Sequence, residues 1–359
     1  MTDSNHFPVY TILHHPGDFA GRSGMYPLAE ALGASPIYYE ATWQHIARKS
    51  WSLGNWLRRY GCAYYGSQWN SLLPLWGEYK LARRIEKRGG IVHFLWAEFA
   101  GPRHPAWLRK KKHLLVGTFH ASARRQPVVL QNCRTFASYD AITLMSRSQA
   151  PYLLEAGVPE DRLHVFLHGV DIQWYCPAPR ADNSDERPLK AILIGSTERD
   201  HEFMADVMRK IPENIMHLEV CTPAEQQVHY RGVHGVTIMP FLRDADLLAW
   251  YRQADLLVMP MVDCTANNAV LESMACGTPV MVNRVGGIPE YVDTSCNMVM
   301  DDKNIAEWVD RIVGLAENRA YLESLRPQVR SWAETFDWNV RAKPYMKLFR
   351  TLLGRSEAS

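Results

Sequence analysis

The feature that most constrains this chain is an alternation of short, continuous apolar runs with helix-length segments. In the first half the runs are VYTILHH (9–15), SPIYYE (35–40), GIVHFLW (90–96), HLLVGTFH (113–120), AITLMS (141–146) and LHVFLHGV (163–170). In the second they are KAILIGS (190–196), HLEVCT (217–222), VTIMPF (236–241), DLLVMP (255–260), PVMVN (279–283) and NMVMD (297–301). Runs that are apolar throughout, rather than at every second residue, belong to strands buried on both faces. Helix-length connections return the chain to a parallel neighbour. Two sets of such runs predict two doubly wound, Rossmann-like α/β domains.

The length, 359 residues, suits two domains. Between the two sets lies CPAPRADNSDERP (176–188), rich in proline and charge and without apolar period, which reads as a linker. The expected division is therefore 1–177 and 178–339. After it, apolar residues at Val340, Tyr345, Met346, Leu348, Phe349, Leu352 and Leu353 predict a final helix over about 340–356.

A chain that is 47% hydrophobic and 22% charged is not a disordered one. No apolar run reaches the 18 or more residues of a membrane span. The start, MTDSNHFPVYTILHH, lacks the basic-then-apolar order of a secretory leader, and seven scattered cysteines contain no CxxC pair. The expectation is a cytoplasmic protein with reduced thiols and no zinc site. Charge is uneven: residues 1–175 carry 20 Lys/Arg and 12 Asp/Glu, and the remainder 20 and 26. A basic first half suits an anionic acceptor or peripheral contact with an anionic membrane, or is a solvated face. Segment 43–112 sharpens that choice without closing it. Trp43, Trp51, Trp56, Trp69 and Trp76 stand among Arg58, Arg59, Arg83, Arg84, Lys87 and Arg88, which fits a lipid interface or the core of a helical insertion.

In open α/β sheets ligands bind beyond the carboxyl ends of the strands. There this chain places HHPGDFAGRSG, HASARR, STERDH and DCTANN. Gly17, Gly21 and Gly24, between a strand and a helix, would let backbone approach a phosphate, although G-x3-G-x2-G is not the dinucleotide fingerprint and an ordinary loop would also serve. Arg199 could take a diphosphate in planar hydrogen bonds or pair with Glu198 or Asp200. Thr265 and Asn267 are N-cap types ahead of AVLESMACG, which Gly277 ends. Glu272 lies five residues past Asn267, too deep for a capping box, among Val270, Leu271, Met274 and Ala275. A carboxylate there wants a polyol or a cation, and ribose hydroxyls would fit. His120 ends its strand at the same kind of edge, with a structural role equally open.

Together these residues resemble a retaining glycosyltransferase of the GT-B fold, in the family-4-like set also called glycosyl transferases group 1. The resemblance rests on YRQADLLVMP…VLESMACGTPVMVNRVGGIPEYV, on VFLHGVDIQWYCP (165–177), on TFH (118–120) and on FDW (336–338) before a final helix. It implies two Rossmann-like domains facing across a cleft, the last helix returning to the first. The implied reaction moves a sugar from a nucleoside-diphosphate sugar to an acceptor hydroxyl with retention, in glycan or glycolipid biosynthesis. Glu272 would bind ribose. Thr265, Asn267, Asn268 and Ala269 would hold the diphosphate and sugar, with Arg199 on the phosphates. Gly21 or Gly24 would close on the diphosphate, Gly195 would lie with the donor, Leu242 near the base, and His120 at the donor sugar. Catalytic roles thus fall to His120, Arg199 and Glu272, and acceptor contacts to His14 and Glu98. The acceptor would be a glycan, a lipid-linked compound or a small molecule, and not nucleic acid. No metal or other cofactor is implied.

Three departures stand out. The first of the family's two glutamates is replaced by Cys264, beside Asp263. No lysine follows Arg199, only His201. His168 stands where the family has asparagine. Donor-sugar identity is thereby left open, and His201 or Arg22 would assist Arg199. A sugar-nucleotide epimerase or phosphorylase on the same fold, or a binding protein with a decayed site, are the competing readings.

Overall fold

The computed structural model describes residues 7–14, 22–39, 83–85, 89–99, 113–130, 136, 139–179 and 187–357. Trp43, Trp51, Trp56, Trp69, Trp76, Gly17, Gly21 and most of the proline-rich linker lie outside the described residues. Every apolar run forms a strand. The first sheet contains β1 (Val9–His14), β2 (Ser35–Tyr39), β3 (Gly90–Phe94), β4 (His113–Phe119), β5 (Ala141–Leu144) and β6 (Leu163–Val165), all parallel, in the order β2-β1-β3-β4-β5-β6. The second contains β7 (Leu189–Ile194), β8 (Met216–Cys221), β9 (Val236–Ile238), β10 (Leu256–Met259), β11 (Val280–Asn283) and β12 (Met298–Met300), in the order β12-β11-β10-β7-β8-β9. β3, β5, β10 and β11 are buried along their whole length, as continuous apolar runs require.

The edge strands are shorter than their apolar runs. β9 ends at Ile238 rather than 241, since Pro240 has no N–H to give the ladder. β6 stops at Val165, before the GVD element begins.

Two compact units result. One comprises 1–21, 25–168 and 341–359; the other 22–24 and 169–340. The second starts at Gly169, where the linker's composition had suggested 178. Residues 169–177 side with it because Val170 bridges Asp337 and donates its N–H to the Phe336 carbonyl at 2.9 Å. Gly169 is compulsory there, because a Cβ would stand 2.5 Å from the Trp338 ring. The GVD and FDW signatures are thus two sides of one joint. The final helix, Trp338–Glu357, belongs to the first unit from residue 341 onward.

In the first unit one sheet face carries a polar row. Thr11 is in register with His93, and Thr118 with Thr143. His93 Nε2 lies 2.8 Å from the Thr118 hydroxyl, which lies 2.6 Å from that of Thr143. Tyr345 and Phe349 of the final helix cover His93, with ring centroids 5.4 and 5.7 Å away. Burial, aided by nearby His120, lowers the His93 pKa to about 3, so its imidazole is neutral.

Candidate functional site

The second unit concentrates its polar residues at the carboxyl edge of β7 and β10. After β10 the chain runs through Asp263, Cys264 and Thr265 into the helix Asn268–Ala275. Asn267 is its N-cap, extended at φ −129°, and its side-chain oxygen accepts from Val270 N–H. Gly277, at φ +75°, ends the helix with bonds to the Met274 carbonyl, and Thr278 reaches that of Ser273. All of 269–275 is buried and Asn268 is exposed. The amino end of this helix therefore combines unpaired N–H groups and the positive end of its dipole.

Arg199 is brought to the same place. Loop 195–200 docks on 260–262 through Asp200 N–H to Pro260 and Val262 N–H to Glu198, with Glu198 at φ +60°. The guanidinium donates to the carbonyls of Ile194 (3.3 Å) and Thr197 (2.6 Å) and to Asn267 Oδ1 (3.2 Å). A Cβ on Gly195 would stand 3.2 Å from the guanidinium, so glycine makes room for it. Among the described residues no carboxylate pairs with Arg199. Burial pulls its pKa down, a sign of a cation held with little water. Neither side-chain partner considered from the sequence takes it: Asp200 caps the helix His201–Lys210 and pairs with Lys303.

Glu272 is 4% exposed and filled by protein hydroxyls. Its Oε1 accepts from Ser23 at 2.5 Å and its Oε2 from Tyr251 at 3.0 Å, and the nearby Tyr175 hydroxyl also favours its charged form. Burial raises the carboxyl pKa, and these three hydroxyls oppose the rise. Ser23 belongs to the second unit, as do Arg22, paired with Asp171 at 3.2 Å, and Gly24, whose absent Cβ leaves 3.5 Å to Asn268 Nδ2. Tyr175, Tyr251 and Ser23 carried no sequence signal of this role.

Cys264 is buried, its thiol donating to the Thr265 carbonyl, and burial pushes its pKa up to about 12 despite the neighbouring Arg199. Asp263 Oδ1 is turned back on Cys264 N–H at 2.7 Å. Gly287 N–H holds the Cys264 carbonyl at 2.8 Å, which is what the GG of VGGIPE does. His201 does not assist Arg199. It is buried between the Tyr230 hydroxyl and the Gly195 carbonyl, both 2.9 Å away, and its pKa falls to about 4 by burial. A neutral, doubly engaged imidazole supplies no charge to a phosphate. Arg22 is committed to Asp171. Leu242 is half-buried just past β9, beside the exposed Phe241.

In the first unit, His120 follows β4 and Glu98 sits in the turn Ala97–Phe99 after β3. Glu98 Oε1 accepts from the backbone N–H of His120 and, at 2.7 Å, of Ala121. His120 Nε2 lies 2.6 Å from the Leu95 carbonyl, and the Trp96 ring stacks on the imidazole at 5.2 Å and 16°. Burial lowers the His120 pKa, against raising influences from Glu98 and the Leu95 carbonyl. His14 ends β1, and its side chain lies outside the described residues.

Two parallel six-stranded α/β units whose polar loops gather at carboxyl strand edges define a GT-B protein. The fold is similar to that of the Anabaena protein Alr3699/HepE, solved with UDP and glucose, at a TM-score of 0.69 and 11% identity over 96% of this chain and 100% of that one. Residues 189–318, which include Arg199, Asn267 and Glu272, match the sequence model of the family described as Glycosyl transferases group 1. Similar curated proteins include a D-inositol 3-phosphate glycosyltransferase of Xylanimonas cellulosilytica, 24% identical over 68% of each chain. Another of that name, from Paenarthrobacter aurescens, is 29% identical over 54% of this chain and 53% of its own length. No helix among the described residues is long and apolar enough to cross a membrane.

Proposed function

We propose that the protein transfers a sugar from a nucleoside-diphosphate sugar to an acceptor hydroxyl, with retention at the anomeric carbon. The observation that carries the reading is the meeting of Arg199 with the capped amino end of helix 268–275, joined at Asn267. A cation that no carboxylate pairs among the described residues and a helix dipole converge on one point at a strand edge. An anion placed there gains from both. The diphosphate would lie against Arg199, Gly24 and the backbone of 265–269, with the sugar beside Asp263 and Thr265. The base would sit near Leu242.

Glu272 would exchange the Ser23 hydroxyl for ribose, keeping Tyr175 and Tyr251 as the donors that hold its carboxylate in place. The barrier to transfer is charge separation, since an oxocarbenium-like sugar forms as the diphosphate leaves. Bonds from Arg199 and the helix N–H groups strengthen as that negative charge grows, so they stabilise the transition state more than the bound donor. Attack from the face the diphosphate leaves, aided by the departing phosphate as proton acceptor, gives retention with no covalent intermediate. Fixed cation and dipole here do the work that a bound metal would do elsewhere. The basic first half suits an anionic acceptor, as the inositol phosphate in the relatives' names would be, and the enzyme would act in the cytoplasm or peripherally at an anionic membrane.

The experiment is thermal shift followed by calorimetry with UDP, GDP and ADP and their hexose conjugates. One nucleotide set should raise the midpoint, since a ligand selective for the folded state stabilises it. Glu272→Ala should weaken that nucleotide but not inorganic diphosphate. Equal affinity of Glu272→Ala and the unmodified protein for the nucleotide would remove the ribose from Glu272. Absence of any nucleotide response would remove the donor site.

A further inference from the structure

We propose that Cys176 and Cys276 form a thiol–disulfide site, closed by exchange with a small-molecule disulfide such as oxidised glutathione and coupled to the nucleotide through Tyr175 and Glu272. The bond rests on the geometry of the second unit alone. Its effect on the nucleotide rests on the reading that Glu272 takes the ribose.

Two segments are pinned side by side here. Cys276 caps the carboxyl end of helix 268–275, and its N–H donates to the Glu272 carbonyl at 3.0 Å. Segment 175–177 passes that end. Arg330 Nη1 donates to the Tyr175 carbonyl at 2.8 Å and to the Ala275 carbonyl at 2.7 Å, so one nitrogen joins the residues that precede the two cysteines. On the far side, a Cβ built on Gly277 would stand 3.5 Å from Pro177 Cγ. The cysteines lie between these two contacts, and both are free thiols. Arg252 serves both. Its Nη2 is 3.0 Å from Cys176 Sγ, its Nε donates to the Cys176 carbonyl at 2.7 Å, and its charge also acts on Cys276.

The pair is asymmetric in the way that exchange chemistry uses. Reactive cysteines sit in electropositive, partly exposed surroundings, and half-buried Cys176 beside Arg252 has both properties. Cys276 is fully buried, and burial pushes its thiol up to about 12. Cys221, the other half-buried cysteine among the described residues, instead turns its thiol to the Pro240 carbonyl at 3.4 Å. The Cys176 sulfur therefore attacks first, displacing one glutathione thiolate and keeping the other half as a mixed disulfide. Cys276 then attacks the Cys176 sulfur, releases the second glutathione and gives its proton to that leaving thiolate. Two protein thiols lose two electrons and two protons, and the small disulfide takes them up as two thiols. To bond, the Cys176 sulfur must leave Arg252 and close on the buried Cys276, drawing Tyr175 with it. Tyr175 is itself buried, and its hydroxyl favours the charged form of Glu272, one turn before Cys276.

The test uses the full chain, incubated with graded mixtures of oxidised and reduced glutathione, quenched in acid and mapped by mass spectrometry. A peptide pair joined through Cys176 and Cys276 should form under native conditions and open again with dithiothreitol. Glutathione resting on Cys176 with Cys276 still a thiol overturns the site, as does a bond from either to another cysteine, or a joined pair found only in urea. In Cys276→Ala, glutathione should stay on Cys176, and an unmodified Cys176 there overturns its role as the attacking sulfur. Calorimetry then compares the reduced and oxidised protein with whichever of UDP, GDP and ADP raises the midpoint. The oxidised form should bind about tenfold more weakly, the worth of one hydrogen bond to a charged group. Cys176→Ser should bind alike in both mixtures. Equal affinity of the two forms, or an equal loss in Cys176→Ser, overturns the coupling. A protein that forms the bond yet binds no nucleotide in either state overturns the donor reading and the coupling with it, while the bond stands.

Discussion

Replacing Gly286 with alanine probes the loop that carries Asp263 and Cys264. Gly286 has φ +51°, and an added Cβ would overlap the Cys264 carbonyl oxygen while lying 2.5 Å from Asp263 Oδ1 and 2.9 Å from Cys264 N. The left-handed backbone alone costs an L-residue about 1–2 kcal/mol. Relieving the overlap means moving 263–264, which breaks the 2.8 Å bond from Gly287 N–H to the Cys264 carbonyl. Leaving such buried groups unpaired costs about 1–3 kcal/mol. Together the loss should be about 2–5 kcal/mol, or a fall in Tm on the order of 10 °C for a unit of this size. Gly232→Ala is the control: it lies in the same unit at φ +69°, with nothing within 4 Å of its Cβ. It should cost only about 1 kcal/mol, from the backbone alone. Thermal and urea unfolding of both variants measure the difference. Calorimetry should also show Gly286→Ala losing affinity for the nucleotide sugar more than for the nucleoside diphosphate, because the displaced loop carries the residues proposed to hold the sugar. Equal destabilisation by the two alanines would refute the packing argument.

Arg199→Ala should weaken nucleoside diphosphate binding by about tenfold to a hundredfold, the worth of a charge-assisted hydrogen bond of about 1.5–3 kcal/mol. The bare nucleoside should bind unchanged, and a loss shared by the nucleoside would show a disrupted loop instead. Stability should fall with pH for a reason visible in two buried imidazoles. His93 and His201 titrate at about 3 and about 4 in the folded chain against 6.5 as the reference. Above pH 6.5 both states are neutral there. As pH falls below it, the unfolded chain binds protons that the folded one refuses, so stability is lost from pH 6.5 down to the folded values. At pH 5.5 each should cost its own unit about 1.4 kcal/mol. Urea melts at pH 7.5 and 5.5 should show the slope, and His93→Gln or His201→Gln should remove its share in the unit concerned. An unchanged slope would mean that the imidazoles are charged in the fold.

Much of this protein is legible one residue after another. Each apolar run became a strand, and the central ones, such as β10 and β11, are buried on both faces. The loops at the strand ends held the polar residues because that is where a parallel sheet releases its chain. Asn267 and Gly277 bounded their helix for reasons of local backbone chemistry alone. What sequence could not reveal was who meets whom. Arg199 bonds to Asn267, 68 positions away, and Glu272 is held by Ser23, which lies 249 positions from it. His201 looked like a spare cation and is instead a neutral residue between Tyr230 and a carbonyl. Cys264 stood where a sugar-reading glutamate was expected, but only the fold shows its thiol buried beside Arg199 and Asp263 turned back on its own loop. Periodicity records that a face is covered, because burial acts on every residue of that face alike. Hydrogen bonds are directional and pairwise, so their partners are decided only when the sheet order brings distant loops to the same edge.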